Sequence, residues 1–471
     1  MFSYRSSLLN AIFATVAILT LGIDPALAQQ AGQRIAGDGN LFSQIGWTQL
    51  SDQAQSESPS IAQSPSNEAV KPAGAFDGTQ PYQSLTLAVV EGMALAAHPA
   101  IGEAAARVQA AQGRWLQSGL PFNPEIGYSG QQLGSGGQAE QHGIVLAKKF
   151  VRGGKLELNR AVECEEIHLR NAKLARQQQR IITDVRIAFY QVLAAGRRLE
   201  LARQLNDINS QALKAAESLA RAKEGSRVDV LQAQIELETV VAALHQAEFE
   251  ATSAWRRLAT LVGQPDWEFQ PLDGSLESRD DPLTFDQAWH SLEAESPEIL
   301  LAQIAVEKAC RQLRRQQVES VPDLTVEAVL QHDNGTGGID GNLQVMFPLR
   351  TVNRNQGGIQ EASAQVMAAR QSLDRKRLEL RTNLAEIFAI YETALDQASH
   401  YSETILPKAS ENLDLVRRGY EAGEFSFVEV LLVQRTYAEK SSIYLKALGE
   451  LWTRKLEIEG LLLKDSLRDF D

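Results

Sequence analysis

The chain has 471 residues, a formal net charge of −13 and only two cysteines. No basic patch is present to neutralise phosphates, which argues against nucleic acid as a partner, whereas acidity suits a cation pathway and ordinary solubility equally. Beyond the N-terminus there is no long apolar run, so any membrane crossing would have to be made by a closed β-barrel.

Residues 1–28 read as a signal peptide. Arg5 supplies the positive region, Leu8 to Ile23 is largely apolar, and Ala26-Leu27-Ala28 before Gln29 is a cleavage pattern. A membrane anchor is the alternative, but the apolar stretch is interrupted by Asn10 and falls short of about 20 residues. No cysteine follows the site, so an acylated N-terminus is not expected. Residues 29–80, rich in Ser, Gln, Ala, Gly and Asp, read as a disordered leader.

From Leu85 the chain repeats. Leu85-Thr86 recurs as Leu283-Thr284, His98-Pro99 as Ser296-Pro297, and Asn123-Pro124-Glu125-Ile126 as Val321-Pro322-Asp323-Leu324, each pair 198 residues apart. Two copies of this length indicate a duplicated domain and not a solenoid. The copies span residues 81–262 and 283–463. Between them lies a linker, 263–282, with Pro265, Pro271, Gly274 and Pro282, and a short charged tail, 464–471, closes the chain.

Each copy predicts two helices (about 86–120 and 284–320), a proline (Pro124 or Pro322), and two alternating strands around a Gly-rich loop. In the second copy Leu324, Val326, Ala328 and Leu330 oppose Thr325, Glu327 and Gln331, with Val329 as the exception. The loop is His332 to Gly338, and the return strand is expected from about Asn342 to Leu349. In the first copy Ile126 and Tyr128 lead to the loop Leu133-Gly134-Ser135-Gly136-Gly137, and Ile144, Leu146 and Phe150 mark the return. One face of these hairpins is apolar. Lys148 falls on it, close enough to the strand end to reach headgroups. Four strands cannot close a barrel, and an open edge is not tolerated in lipid, so partner chains are required.

Each second strand runs into a very long helix. The turns are Phe150 to Lys155, with Gly153 and Gly154, and Phe347 to Gly358, where Pro348 is expected to end the ladder and Gly357 and Gly358 to turn the backbone. Heptad spacing of Ile167, Leu174, Ile181, Ala188, Ala195 and Ala202, and of Ile359, Val366, Leu373, Leu380, Ile387, Ala394 and Tyr401, predicts helices over about 155–223 and 358–420. Each would extend on the order of 100 Å. The Ala-rich seams suit a packed helical cylinder; heptads alone would equally suit a coiled-coil dimer. Pro407 predicts a break in the second copy only, since Asn209 stands at its counterpart. Both helices reverse near a glycine, Gly225 and Gly423, placed as left-handed caps, with Ser226 and Ser426 available to cap the return helices.

No motif supports an enzyme, a cofactor or a resident metal. There is no phosphate loop, nucleophile elbow or His-Glu-x-x-His, and the histidines are scattered, although His142 and His332 near the two loops could meet across chains. Cys164 and Cys310 are read as two separate buried residues, with a disulfide the alternative in an oxidising compartment.

The turn signals Arg152-Gly153-Gly154-Lys155 and Asn353-Arg354-Asn355-Gln356-Gly357, the latter after Phe347-Pro348-Leu349, resemble those of the TolC-like outer-membrane efflux family, and closest its cobalt-zinc-cadmium branch. That resemblance implies a mainly α fold with a small β part, in which long helical hairpins form a periplasmic tunnel and four strands per chain enter a twelve-stranded barrel shared by a homotrimer. It implies an outer-membrane location, contact with outer-membrane lipid, and a linker wrapping outside the tube. It further implies a passive, non-enzymatic duct for heavy-metal cations, fed by a proton-driven inner-membrane pump through a periplasmic adaptor. The adaptor would meet Glu224, Gly225, Ser226, Glu421, Gly423 and Glu424, with Glu421 and Glu424 in the ring that narrows the entrance. A duct for drugs or secreted polypeptide is the alternative within that fold, and a soluble periplasmic coiled-coil adaptor or scaffold is the alternative outside it.

Overall fold

The computed structural model describes residues 85–133, 139–223, 225–277 and 281–468. The expected signal peptide, the leader at 29–80 and most of the first hairpin loop lie outside these residues. The described chain opens with a short strand β1 (Leu85–Thr86) and helices α1 (Leu87–Ala97) and α2 (Pro99–Ser118), passes through strands β2 (Glu125–Leu133) and β3 (Ala139–Phe150), then runs out along α3 (Lys155–Arg221) and back along α4 (Arg227–Leu261). After a short strand β4 (Leu272–Asp273) the plan repeats as α5 (Phe285–Glu295), α6 (Pro297–Glu319), β5 (Leu324–Asp333), β6 (Gly338–Met346) and α7 (Gln356–His400). A π-helical turn, Tyr401–Ile405, then leads to α8 (Leu406–Glu421) and α9 (Phe427–Glu459). The strands with their flanking turns, Leu120–Leu156 and Val318–Asn355, make one compact unit and the helical segments another.

In the strand unit the sheet order is β2-β3-β5-β6, antiparallel throughout. The two hairpins join through β3 and β5, where Ile144 faces Leu330 and Phe150 faces Leu324. Strand β6 starts earlier than its alternation suggested. Gly337 N–H donates to the Asp333 carbonyl at 2.8 Å and Gly335 N–H to Asp333 Oδ1 at 2.8 Å, so the turn closes within four residues and pairing resumes at Gly338. It ends at Met346, opposite Thr325 and one residue short of where its partner begins at Leu324; Pro348 lies two residues beyond the ladder.

The two strand-to-helix turns differ. Gly153 and Gly154 both have left-handed backbones, φ 73° and 68°, as their residue type allows. Gly357 and Gly358, by contrast, lie inside the first turn of α7, and the reversal falls on Asn355, φ 62°. Asn355 N–H donates to the Asn353 side chain at 3.0 Å, a local bond that makes asparagine the next best residue after glycine at such a position.

One ion pair, between a buried lysine and a half-buried aspartate, ties the first turn to the second hairpin. Lys155, at the start of α3, places Nζ 2.9 Å from Asp323 Oδ1, immediately ahead of β5. Lys149 Nζ reaches the other carboxylate oxygen at 3.3 Å, and Arg152 N–H donates to Asp323 at 3.3 Å. Burial alone would raise the Asp323 pKa, but these donors outweigh it and hold the carboxyl below its ordinary range.

In the helical unit the duplication gives two cores. In the first, Val90 and Ala94 of α1 pack with Ile181, Val185 and Phe189 of α3 and with Trp255 and Leu258 of α4. In the second, Leu292 of α5 packs with Leu384, Phe388 and Tyr391 of α7 and with Ile458 of α9. The chain itself covers part of the apolar seams, at Ile181, Ala188, Leu380 and Ala394, while Ile167, Leu174, Leu373 and Ile387 stay half-buried. The linker is held by indole donors: Trp255 Nε1–H to the Trp267 carbonyl at 2.9 Å and Trp452 Nε1–H to the Leu276 carbonyl at 2.8 Å. Beyond Leu463 the chain stays attached, because Asp465 and Ser466 N–H groups donate to the Asp184 carboxylate at 3.1 and 2.6 Å.

The second copy is interrupted where Pro407 suggested, as the π-helical turn Tyr401–Ile405, while α3 continues through Asn209. Equivalent core residues on the long helices, Val185 with Leu384 and Phe189 with Phe388, are 199 residues apart; on the return helices, Ala247 with Ala447 and Leu258 with Ile458, they are 200 apart. The π turn takes up the extra residue. Cys164 and Cys310 are unpaired and only half-buried, so the expectation of two buried thiols is corrected in degree.

Stability of the strand unit should follow the Asp323 charge. Because the folded-state pKa is depressed, the contribution is present above the unfolded value near 3.9 and lost as pH falls through the folded value. Asp323→Asn is expected to cost about 3 kcal/mol at pH 7 and to flatten the acid side of the curve. Thermal unfolding in detergent at neutral and acid pH checks this; identical pH dependence in both proteins would remove the ion pair from the account.

Candidate channel wall and helical tips

Strand alternation and the observed register together sort the sheet into two faces. On one face, Ile126, Leu146, Ala328 and Leu343 form a continuous row, and Tyr128, Ile144 and Leu330 form the next. These side chains have no cover: Ile126 is 78% exposed, Tyr128 70% and Ile144 62%. On the other face lie Glu125, Ser129, Gln131, Gln141, Glu327, Gln331, Asp340, Asn342 and Gln344, with the Gln331 amide donating to Gln141 at 3.1 Å. Strands of 9 to 12 residues match the span of a tilted transmembrane strand. An apolar outer face, a polar inner face and this length are what a lipid-embedded channel wall requires.

Lys148 sits on the apolar face opposite Val326, two residues from the strand end, with Nζ 5.7 Å from the Phe150 ring. His142 and His332 do not meet across chains. They are cross-strand partners within one chain, because β3 pairs with β5, and His142 Nδ1 lies 2.6 Å from the Tyr128 hydroxyl. Among the described residues, strands β2 and β6 each leave one edge unpaired, so the sheet is an incomplete wall.

The helical tips are built by two related turns. After α8, Gly423 takes φ 77° and Glu424 N–H donates to the Gly419 carbonyl at 2.8 Å. After α3 the left-handed residue is Lys223, φ 62°, and not Gly225, as its spacing from Gly423 suggested. Lys223 and Gly423 are 200 residues apart, the same interval as Ser226 and Ser426, so they are the equivalent pair. Gly225 answers a different need: a Cβ there would stand 3.0 Å from Leu219 Cβ, where the loop closes with a 3.1 Å bond from Gly225 N–H to the Leu219 carbonyl.

Both return helices start with a reciprocal cap. Ser226 accepts from Val228 N–H at 3.1 Å while Asp229 accepts from Ser226 N–H at 3.1 Å. Ser426 accepts from Glu429 N–H at 3.3 Å while Glu429 accepts from Ser426 N–H at 2.7 Å. Glu424 is exposed; Glu421 is the last residue of α8, and Glu224 lies outside the described residues. Just past each cap stand exposed apolar side chains: Val228 and Leu231 at one tip, Val428 and Leu432 at the other.

A sequence model described as outer membrane efflux protein matches residues 91–264 and again 288–462, one match on each copy of the repeat. The chain belongs to the outer membrane efflux protein family. This outer membrane efflux protein is 25% identical to the cobalt-zinc-cadmium resistance protein CzcC of Cupriavidus metallidurans over 406 residues, 85% of this chain and 95% of that one. Its fold matches the outer membrane protein VceC of Vibrio cholerae at TM-score 0.64 and 18% identity, over 80% of this chain and 95% of that one. It also matches the open state of the Neisseria gonorrhoeae MtrE outer membrane channel at TM-score 0.65 and 16% identity, covering 80% and 89%. The incomplete sheet is thus the share that one protomer of this outer membrane efflux protein gives to a barrel built by three, and the long helices are its share of a periplasmic tunnel.

The two faces should respond oppositely to charge. Leu343→Arg, at mid-strand on the apolar face, is expected to cost roughly 2–4 kcal/mol, and Gln344→Arg, on the polar face, well under half of that. Heat-modifiable migration of the folded oligomer on gels reads both, and equal loss would reverse the facial assignment. At the tips, Lys223→Gly should stabilise by about 1 kcal/mol and Gly423→Ala destabilise by about as much, measured by thermal unfolding.

Proposed function

We propose that this outer membrane efflux protein is the passive exit duct of a tripartite system, carrying heavy-metal cations delivered by a proton-driven inner-membrane pump through a periplasmic adaptor. The observation that carries the duct reading is the two-faced sheet with unpaired edges, which has a use only as part of a shared wall in lipid. Cation cargo is supported by the likeness to CzcC and is compatible with Glu125, Glu327 and Asp340 on the inner face. Passage down a gradient needs no catalytic residue, and the pump supplies the energy. The protein acts as no enzyme.

The two tips are the adaptor-binding ends. Gly225, Ser226, Gly423 and Glu424, with Glu224 and Glu421 next to them in the sequence, meet the adaptor, and Val228, Leu231, Val428 and Leu432 offer apolar anchors beside them. Glu421 and Glu424 supply the acidic ring at the entrance. Residues 1–28 are removed on export, and the repeats 81–262 and 283–463 act as paired halves around the linker 263–282. Deleting the protein should lower the tolerated concentration of one or more of Zn, Co, Cd, Cu and Ag salts, restored by the intact chain. Sensitivity confined to drugs would overturn the cargo and leave the duct; recovery of the protein in the soluble fraction would overturn the duct itself.

A further inference from the structure

Within the helical unit, a cavity of about 410 Å³ opens beside the N-terminus of α2, bounded by α3 and by the segment that follows α9. Its wall is cationic: Arg107, Arg170, Lys173, Arg176 and Arg468 line it, against the single carboxylate of Glu103. Arg107 pairs with Glu103 at 2.6 Å, Arg170 with Glu166 at 2.7 Å and Arg176 with Glu298 at 3.1 Å. Lys173 pairs with no carboxylate among the described residues. Burial first, then the charges of Arg170 and Arg176, press its pKa downward, with Glu166 only partly opposing them.

Neutral donors around the same cavity also lack acceptors. His98 is 4% exposed and its Nε2 has no partner; since Nδ1 accepts from Ala100 N–H at 3.2 Å, the proton of the neutral ring sits on Nε2. Ser466 is 2% exposed and its hydroxyl is unpartnered, although its N–H is engaged by Asp184 and its carbonyl by Gln177. Arg176 Nε is a third buried donor without a partner. The N-terminus of α2, a 20-residue helix, adds the positive end of its dipole, although the Ala100 and Ile101 N–H groups are engaged by His98. What this wall lacks is negatively charged oxygen.

The second copy shows that the fold does not require three of these cations, although Arg375 stands at the equivalent of Arg176. At the positions equivalent to Arg107, Arg170 and Lys173 stand Ala305, Ala369 and Ser372. We propose that the cavity is a binding site for a compact oxyanion of phosphate size, held by Lys173 and the free faces of the Arg170 and Arg176 guanidinium groups, with His98 Nε2–H and the Ser466 hydroxyl as its neutral donors. Two sources share that chemistry: inorganic phosphate from solution, and the carboxylates of Asp469 and Asp471, which follow Arg468 in the sequence.

Calorimetric titration of the purified full chain in detergent with inorganic phosphate, at ionic strength fixed by chloride, tests this. One saturable site per chain is expected, weakened about tenfold by Lys173→Gln and restored to within about threefold by Lys173→Arg. Arg468→Gln, whose only ion pair among the described residues is a 3.8 Å contact with Asp465 on the surface, is the second variant and should weaken binding about threefold. In the Asp469→Asn/Asp471→Asn chain, unchanged phosphate affinity assigns the site to the solution anion, and tighter binding assigns it to those carboxylates in the native chain. Absence of saturable heat from both the native and the doubly substituted chain, or equal affinity in the native, Lys173→Gln and Arg468→Gln proteins, would overturn the site.

Discussion

Hydrocarbon offers no hydrogen bonds, so every backbone N–H and C=O placed in it must find its partner in protein. The sheet meets this requirement along β3 and β5, each paired on both sides, and leaves it unmet along the outer edges of β2 and β6. Its apolar face adds a second demand, since side chains as large as Ile126, Tyr128 and Ile144 stand uncovered. Both demands are answered by one arrangement: lipid against the face and sister strands against the edges. The shared barrel follows from that single constraint, since among the described residues no helix is long and apolar enough to cross a membrane.

The unit that satisfies it is anchored by charge. Lys155, buried where α3 begins, and Asp323, immediately ahead of β5, are drawn together from opposite halves of the duplication. Their contact fixes where the first long helix starts relative to the second hairpin, while the left-handed pair Gly153 and Gly154 lets the backbone make the turn. The second half reaches the same end by other means, with Asn355 and an Asn353 side-chain bond in place of two glycines. Duplication preserved the architecture and left local chemistry free to diverge.

Much of this was legible in the sequence. Alternation at Leu324 to Leu330 and the heptads of α3 and α7 marked strands and long helices because each has one buried face with a fixed period. Ser226 and Ser426 were legible as caps because the serine precedes an acidic residue by three. Less legible were features set by tertiary register. Equal spacing of Gly225 and Gly423 suggested equivalent turns, yet the left-handed residue is Lys223: by the tip the second copy carries two added residues that spacing alone cannot place. The start of β6 was likewise hidden, because the Asp333 turn, and not alternation, fixes its pairing. The pairing of His142 with His332 depends on β3 lying beside β5, a choice that local patterns do not make. The exposed valines and leucines beyond the caps read as ordinary helix residues until the ends were seen to be bare.

A surplus residue in an unbroken α-helix swings everything after it by about 100° in azimuth, enough to turn a buried stripe toward solvent. The π-helical turn at Tyr401–Ile405 confines that error to one widened loop of backbone. Ala447 and Ile458 beyond it are buried as their counterparts Ala247 and Leu258 are, and Ser426 still caps its helix as Ser226 does. The turn thus works as a phase corrector: it lets the two halves differ in length while their far ends keep the same heading.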